Sequence, residues 1–240
     1  MTRIAIGTIL PSSNRVVERT TLAILHHLPG IDACFARIPY ARDGSGQPPG
    51  AYDAASYTEA ARLLAHADMA ALCWNGTRGA ALGLARDRDL AATLTAAAGC
   101  PATTTSLFAV EALQRLGARR VGLILPGTAT EGAAHMAGLA AEGIATAALR
   151  GLGCPDNLSA AAVPPEDIIA AARALTAEAT PDAVLIWSTN LHGLPCMAPL
   201  EAALGIPVLD SAALGVAAVL RAADVATAPL APLGRIFGMV

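Results

Sequence analysis

Short apolar runs of strand length alternate with longer Ala- and Leu-rich stretches whose apolar residues recur every three to four positions, and nothing else constrains the fold as strongly. The strand-type runs are 3–10 (RIAIGTIL), 33–38, 68–74 (DMAALCW), 119–125 (RRVGLIL), 144–149, 182–187 (DAVLIW) and 206–209 (IPVL). The helical stretches are 16–28, 55–66, 80–98, 107–116, 130–142, 165–178, 195–203 and 211–222. A strand, a helix and a further strand repeated in this way pair the strands in parallel, with helices covering both faces of the sheet. The expected fold class is therefore α/β with a mostly parallel sheet. Runs 120–125 and 183–187 are apolar without alternation, as central strands buried on both faces are.

The 240 residues suffice for a substantial core in one large domain or two small ones. Apolar residues make up 54% of the chain and aromatics 3%, so Ala, Leu, Val and Ile must carry the burial. The formal charge of −3 is dispersed along the chain, without the basic block of a nucleic-acid binder. No uninterrupted apolar run reaches the ~18 residues of a membrane-spanning helix. The opening MTRIAIGTIL is too short and too soon interrupted for a secretory signal. The cysteines at 34, 73, 100, 154 and 196 are odd in number and form no CxxC pair. That usage points to free thiols in a reducing compartment, and the expected location is cytoplasmic.

In open parallel sheets the ligand crevice lies outside the carboxyl ends of the strands. Loops 11–15, 75–79, 126–131 and 188–194 are the corresponding segments here. Ser12, Ser13 and Asn14 lead into a helix, where such residues cap the first turn or help hold an anion against its free N–H groups. Gly76 lets a ligand approach the backbone, Thr77 offers a hydroxyl beside N–H groups suited to an oxyanion, and Arg78 can pair with a carboxylate. The plain alternative is a capped connection with a solvated arginine. Ser188, Thr189 and Asn190 follow an apolar strand, and His192 lies four residues beyond Ser188. A nucleophile and its base must meet in space, which a short loop seldom arranges unaided.

Cys73 reads as a small hydrophobe inside a strand. Cys196, in the first turn of an expected helix, is the one cysteine kept as a reactive candidate. His26, His27, His66 and His135 fall in helical stretches without metal-ligand spacing, so no metal site is expected. LCWNGTRGAALG and LIWSTNLHGLP echo one another, which suggests two similar halves meeting at a cleft. The Gly/Pro-rich stretch 42–50, RDGSGQPPG, suits a loop over that cleft.

Seven segments in order carry a further likeness: PSSNRVVE (11–18), GTRGAALG (76–83), TTTSLFAVEALQRLGARRV (103–121), PDNLSAAAVPPEDI (155–168), VLIWSTNLHGLP (184–195), LGIPVLDS (204–211) and GRIF (234–237). Together they resemble the aspartate/glutamate racemase superfamily, in its maleate cis-trans isomerase and arylmalonate decarboxylase branch. None is specific alone, but they span nearly the whole chain. The resemblance implies two pseudo-symmetric α/β halves, here residues 1–115 plus 210–240 and residues 116–209, with the site in the cleft between them. It also implies a small-molecule carboxylate substrate, no cofactor, no nucleic-acid or membrane partner, and a homodimer.

Racemases and isomerases of the superfamily carry a cysteine on each half, and arylmalonate decarboxylases keep only the second, with glycine at the first position. Gly76 stands at the first position here and Ser188 at the second. The Tyr that many relatives place after the 119–125 strand is Gly127, followed by Thr128. Asn14 and Asn157 match substrate-contacting asparagines, and Thr77 and Thr189 flank the two replaced thiols.

A glycine can neither add to an alkene nor move a proton, and a serine hydroxyl needs a base. Ordinary maleate isomerisation and two-base racemisation are therefore not expected. The expected function is cofactor-independent lyase or isomerase chemistry on a small carboxylate through an enolate-like intermediate. Ser12, Asn14, Gly76, Thr77, Arg78, Gly127, Thr128, Asn157, Thr189 and Asn190 would surround the anion. Ser188 would stand at the acid/base position, aided by His192 or Cys196. Two alternatives are a hydrolase using Ser188 with His192 and a carboxylate-binding protein without catalysis.

Overall fold

The structure, a computed structural model, describes residues 3–239, so residues 1, 2 and 240 of the expected first half lie outside the described residues. Ten α-helices and eight strands follow in alternation among the described residues. The first sheet is built from β1 (Ile4–Pro11), β2 (Ile31–Ile38), β3 (Ala71–Trp74) and β4 (Ala102–Thr104), in the order β2-β1-β3-β4. The second is built from β5 (Arg120–Leu125), β6 (Ala145–Gly151), β7 (Ala183–Ile186) and β8 (Val208–Asp210), in the order β6-β5-β7-β8. Every pairing is parallel. The chain is thus an α/β protein of two halves with the same strand order.

The hydropathy pattern explains the placing of the strands. In β5 the run Val121–Leu125 is wholly buried, as is all of β7, and both are interior strands. Edge strands β2 and β6 are only partly buried. At roughly 25 cal/mol per Å² of apolar surface removed from water, such doubly covered strands are where burial contributes most.

Helices α1 (Val17–Leu25), α2 (Ala54–Ala65), α3 (Arg78–Leu82), α4 (Leu84–Ala98) and α5 (Thr105–Arg115) connect the strands of the first half. Helices α6 (Ala133–Ala141), α7 (Asn157–Ala161), α8 (Pro165–Glu178) and α9 (Leu194–Leu204) serve the second. Helix α10 (Ser211–Ala222) follows β8 but packs on β3, β4, α1 and α5. Its residues 211–220 are all buried, as an all-apolar helix requires. One apolar cluster runs through it from Ile6, Ala71 and Phe108 to Val121, Leu123 and Leu185, so the two halves share a core.

Several expected boundaries shift. The stretch 80–98 forms two helices, because Gly83 adopts φ +89° and breaks the ladder between α3 and α4. The three-residue β4 and five-residue α7 carry too few residues to show a period, and neither was expected. The strand expected at 68–74 begins only at Ala71, because Asp68 takes a positive φ of 55°. No helix is long and apolar enough to cross a membrane among the described residues.

Candidate functional site

Both sheets reverse strand order beside their first strand, so a crevice opens where β1 meets β3 and where β5 meets β7. The two crevices face each other and enclose a cavity of about 290 Å³. Its lining is Pro11, Asn14, Tyr40, Trp74, Gly76, Thr77, Arg78, Ala81, His135, Asn157, Ser188, Thr189 and Asn190. Eight of the residues expected around the anion or at the reactive positions are therefore brought together: Asn14, Gly76, Thr77, Arg78, Asn157, Ser188, Thr189 and Asn190.

The loop after β3 is braced from inside its own half. Asn75 is fully buried; its Nδ2 donates to Ala212 O at 3.0 Å and its Oδ1 accepts from Thr105 Oγ1 at 3.2 Å. Its backbone N–H reaches Ile9 O at 2.9 Å. Gly76 then lies against the indole of Trp74. A Cβ at Gly76 would stand 2.4 Å from Trp74 Cζ2, 2.6 Å from Cε2 and 3.0 Å from Nε1. The ring is itself locked edge-on against Tyr57, with centroids 4.9 Å apart. The space a first-half thiol would need is filled by Trp74.

Thr77 leads into α3, half-exposed to the cavity. Arg78 stacks over Tyr40, 5.8 Å from the ring centroid, and its Nη2 donates to Pro48 O at 2.6 Å. That bond pins the Gly/Pro-rich loop at the cavity mouth, and Arg42 adds a 2.6 Å ion pair to Asp156 of the other half.

The loop after β7 is braced across the cavity instead. Asn14 Oδ1 accepts from the N–H groups of Val16 and Val17, both at 2.8 Å, which fixes the turn that leads into α1. Its Nδ2 crosses to Thr189, 3.1 Å from O and 3.2 Å from Oγ1. Asn190 Oδ1 accepts from Arg15 N–H at 2.9 Å, while its Nδ2 donates to Asn157 O at 2.5 Å. Asn157 Nδ2 in turn donates to Ser13 Oγ at 2.9 Å. Ser188 is half-buried, and its Oγ accepts from Asn190 N–H at 3.2 Å.

Five expected residues lie outside the lining. Ser12 is exposed, and its hydroxyl is closed in a reciprocal pair with the Tyr40 backbone, donating to O and accepting from N–H, each at 3.0 Å. Gly127 and Thr128 turn back on the β5–α6 connection. Thr128 N–H donates to Glu131 Oε2 at 2.6 Å, and the Glu131 carboxylate occupies the space a side chain at Gly127 would take. His192 sits past the loop; no hydrogen bond joins it to Ser188 among the described residues, and its Nδ1 is buried without a partner. Cys196 corrects the expectation of a stabilised thiolate: it is fully buried in the α8–α9 core, and burial pushes its thiol up to about 12. Cys73 is also buried, its thiol raised for the same reason. No cysteine lines the cavity.

Five lining residues were not expected at the site, Pro11, Tyr40, Trp74, Ala81 and His135, and the last is the one imidazole among them. His135, in the first turn of α6, accepts at Nδ1 from Trp187 Nε1–H at 3.0 Å. Burial pushes its imidazole down to about 4. It reaches the cavity because α6 lies close on α3: a Cβ at Gly138, one turn on, would stand 1.7 Å from Ala80 O. In the sequence the trace of that close approach was Gly138 inside a helical stretch. No group of three or more His, Cys, Asp or Glu residues suited to a metal ion occurs among the described residues.

A family model described as arylmalonate decarboxylase matches residues 50–237. Among curated proteins, the maleate isomerase of Nocardia farcinica (strain IFM 10152) is 34% identical over 119 residues, which are 50% of this chain and 47% of that one. The match thus spans about half the length of that relative. Among solved structures, the Nocardia farcinica maleate cis-trans isomerase, as a Cys-to-Ser mutant with a covalently bound succinylcysteine intermediate, superposes with a TM-score of 0.82 at 26% identity, covering 99% of each chain. A Gly-to-Cys, Cys-to-Ser double mutant of arylmalonate decarboxylase in its liganded form superposes at 0.85 with 24% identity, over 99% of this chain and 100% of that one, a likeness of fold. The strand order, the cleft between two like halves and a family match over most of the chain agree: this protein belongs to the arylmalonate decarboxylase family, within the racemase-like fold it shares with the maleate isomerases.

Proposed function

We propose that this protein is a cofactor-independent decarboxylase of small malonate-type dicarboxylates. The observation that carries the reading is a cleft lined both by polar groups and by aromatic and apolar ones, with no thiol. Thr77, Arg78, Thr189 and the backbone of loop 75–77 hold one carboxylate. Pro11, Trp74, Tyr40 and Ala81 offer the second carboxylate a poorly solvated surface. Desolvation favours loss of charge as CO2. The C–C bond breaks, its electron pair passes into an enediolate stabilised by the donors around the first carboxylate, and CO2 leaves. A proton then reaches the α-carbon from the Ser188 side, through its hydroxyl or a water it orients.

Thiol addition to an alkene, the step implied by the succinylcysteine of the Nocardia farcinica isomerase, has no cysteine in reach here. The Ser188–His192 hydrolase is disfavoured by the missing contact between the two. The carboxylate-binding alternative is favoured by one observation: the cavity holds no carboxylate and no thiol, and its one imidazole is held neutral.

Wild-type protein incubated in D2O with phenylmalonate, methylmalonate and maleate tests the reading by ¹H NMR. Malonates should give α-deuterated monoacids and CO2, and maleate should remain unchanged. Binding of malonates without CO2 release would establish the carboxylate-binding alternative.

A further inference from the structure

His135 lines the same cavity as Ser188, and the chemistry above leaves it unused. We propose that His135 is a catalytic residue, a neutral imidazole whose Nε2–H donates to the substrate carboxylate that becomes the enediolate. The proposal rests on the decarboxylase reading for its reaction, but its hydrogen bond is testable without turnover.

The tautomer follows from the neighbour. An indole N–H can only donate, so the Nδ1 that accepts from Trp187 at 3.0 Å carries no proton. The rings meet edge-on, with centroids 6.5 Å apart and planes at 81°, which holds the imidazole in one orientation. A neutral ring in that state keeps its proton on Nε2. Among the described residues the hydrogen bond of this ring to protein is the one at Nδ1, and the ring borders the cavity. Burial opposes a second proton, so the ring is a neutral donor at physiological pH.

This donor suits an enediolate. Its one unprotonated nitrogen, Nδ1, is occupied by the Trp187 N–H and is not free to act as a base, and the ring adds no charge that would hold the departing carboxylate in its ground state. Charge that collects on the retained oxygens strengthens the Nε2–H bond as the C–C bond breaks, which is a gain confined to the transition state. Arg78, also in the lining, supplies the fixed charge. Trp187 is the positioning residue, since it sets the tautomer without touching substrate.

The test is ¹⁵N NMR of the full-length protein with and without phenylmalonate, together with turnover of His135→Phe and His135→Gln. The free protein should show one unprotonated and one protonated imidazole nitrogen for His135, identified by their loss in H135Q. Saturating phenylmalonate should shift the protonated nitrogen and its hydrogen, and Trp187→Phe should bring the two nitrogen signals together. H135F should lower kcat about 100-fold with a smaller change in KM, and H135Q should recover part of the loss. Bound phenylmalonate that leaves Nε2–H unmoved, with normal turnover in H135F, would overturn the proposal and leave the decarboxylase reading standing. A shifted Nε2–H without CO2 release would keep the hydrogen bond and overturn the decarboxylase reading.

Discussion

The loops after β3 and β7 face each other at equivalent points of two like sheets, yet they are held in opposite ways. Loop 75–79 is anchored inward, by Asn75 on α10 and α5, and its reactive position is filled by the Trp74 ring. Loop 188–190 is anchored outward, by Asn14, Arg15 and Asn157, and its Ser188 lines the cavity. The tryptophans mark the difference. Trp74 closes over Gly76, whereas Trp187 turns to His135. Pseudo-symmetry of the backbone therefore does not carry over to the chemistry: one side is a fixed wall, the other keeps the working groups.

The largest effect is expected at the base of the second loop. Asp210 is fully buried below Gly193, and burial pushes its carboxyl up to about 7 against the Ala213 N–H that bonds it. A carboxyl raised on folding binds more protons folded than unfolded. Its contribution is thus greatest in acid and is lost as pH rises from the unfolded value of about 4 toward that raised value. Urea melts across this window carry that falling contribution together with a rising one from His135, whose imidazole is lowered on folding. Asp210→Asn, which keeps an acceptor for Ala213, should remove the falling part, so stability should climb more steeply with pH than in the wild type, and an unchanged slope would contradict the assignment.

Asn75→Ala should cost about 3 kcal/mol, since it strands the buried Thr105 hydroxyl, takes the second donor from the Ala212 carbonyl and leaves a cavity. Gly76→Cys should cost about 2 kcal/mol by forcing the Trp74 ring to move, and Trp74→Phe should ease that strain. Ser188→Cys, at an open position, should cost about 0.5 kcal/mol or less. Equal costs at 76 and 188 in thermal melts would break the comparison. Asn190→Ala should cost about 1 kcal/mol, because Arg15, one of its two partners, is exposed and can turn to water. It should nevertheless weaken binding of malonates by loosening loop 188–190.

The alternation of strand and helix, three of the four expected crevice loops (11–15, 75–79 and 188–194) and eight of the lining residues were legible in the sequence, because burial and loop position leave a periodic trace. What stayed hidden depends on where side chains turn. Ser12 and Thr128 have the composition of an anion site but are consumed by neighbouring backbone or carboxylate groups. Cys196 sits at a helix start that favours a thiolate, yet its Sγ points into apolar core. His135 was hidden in a helical pattern, and only the close approach of α6 at Gly138 brings it to the cavity. Gly76 was read as a vacancy; packing shows it to be a position already taken.

The most direct measurement of this asymmetry is α-hydrogen exchange of 2-phenylpropionate in D2O, followed by ¹H NMR for Gly76→Cys and Ser188→Cys side by side. The account predicts exchange with Ser188→Cys, whose thiol faces the cavity, and none with Gly76→Cys. Exchange in Gly76→Cys at a rate equal to or above that of Ser188→Cys would contradict it.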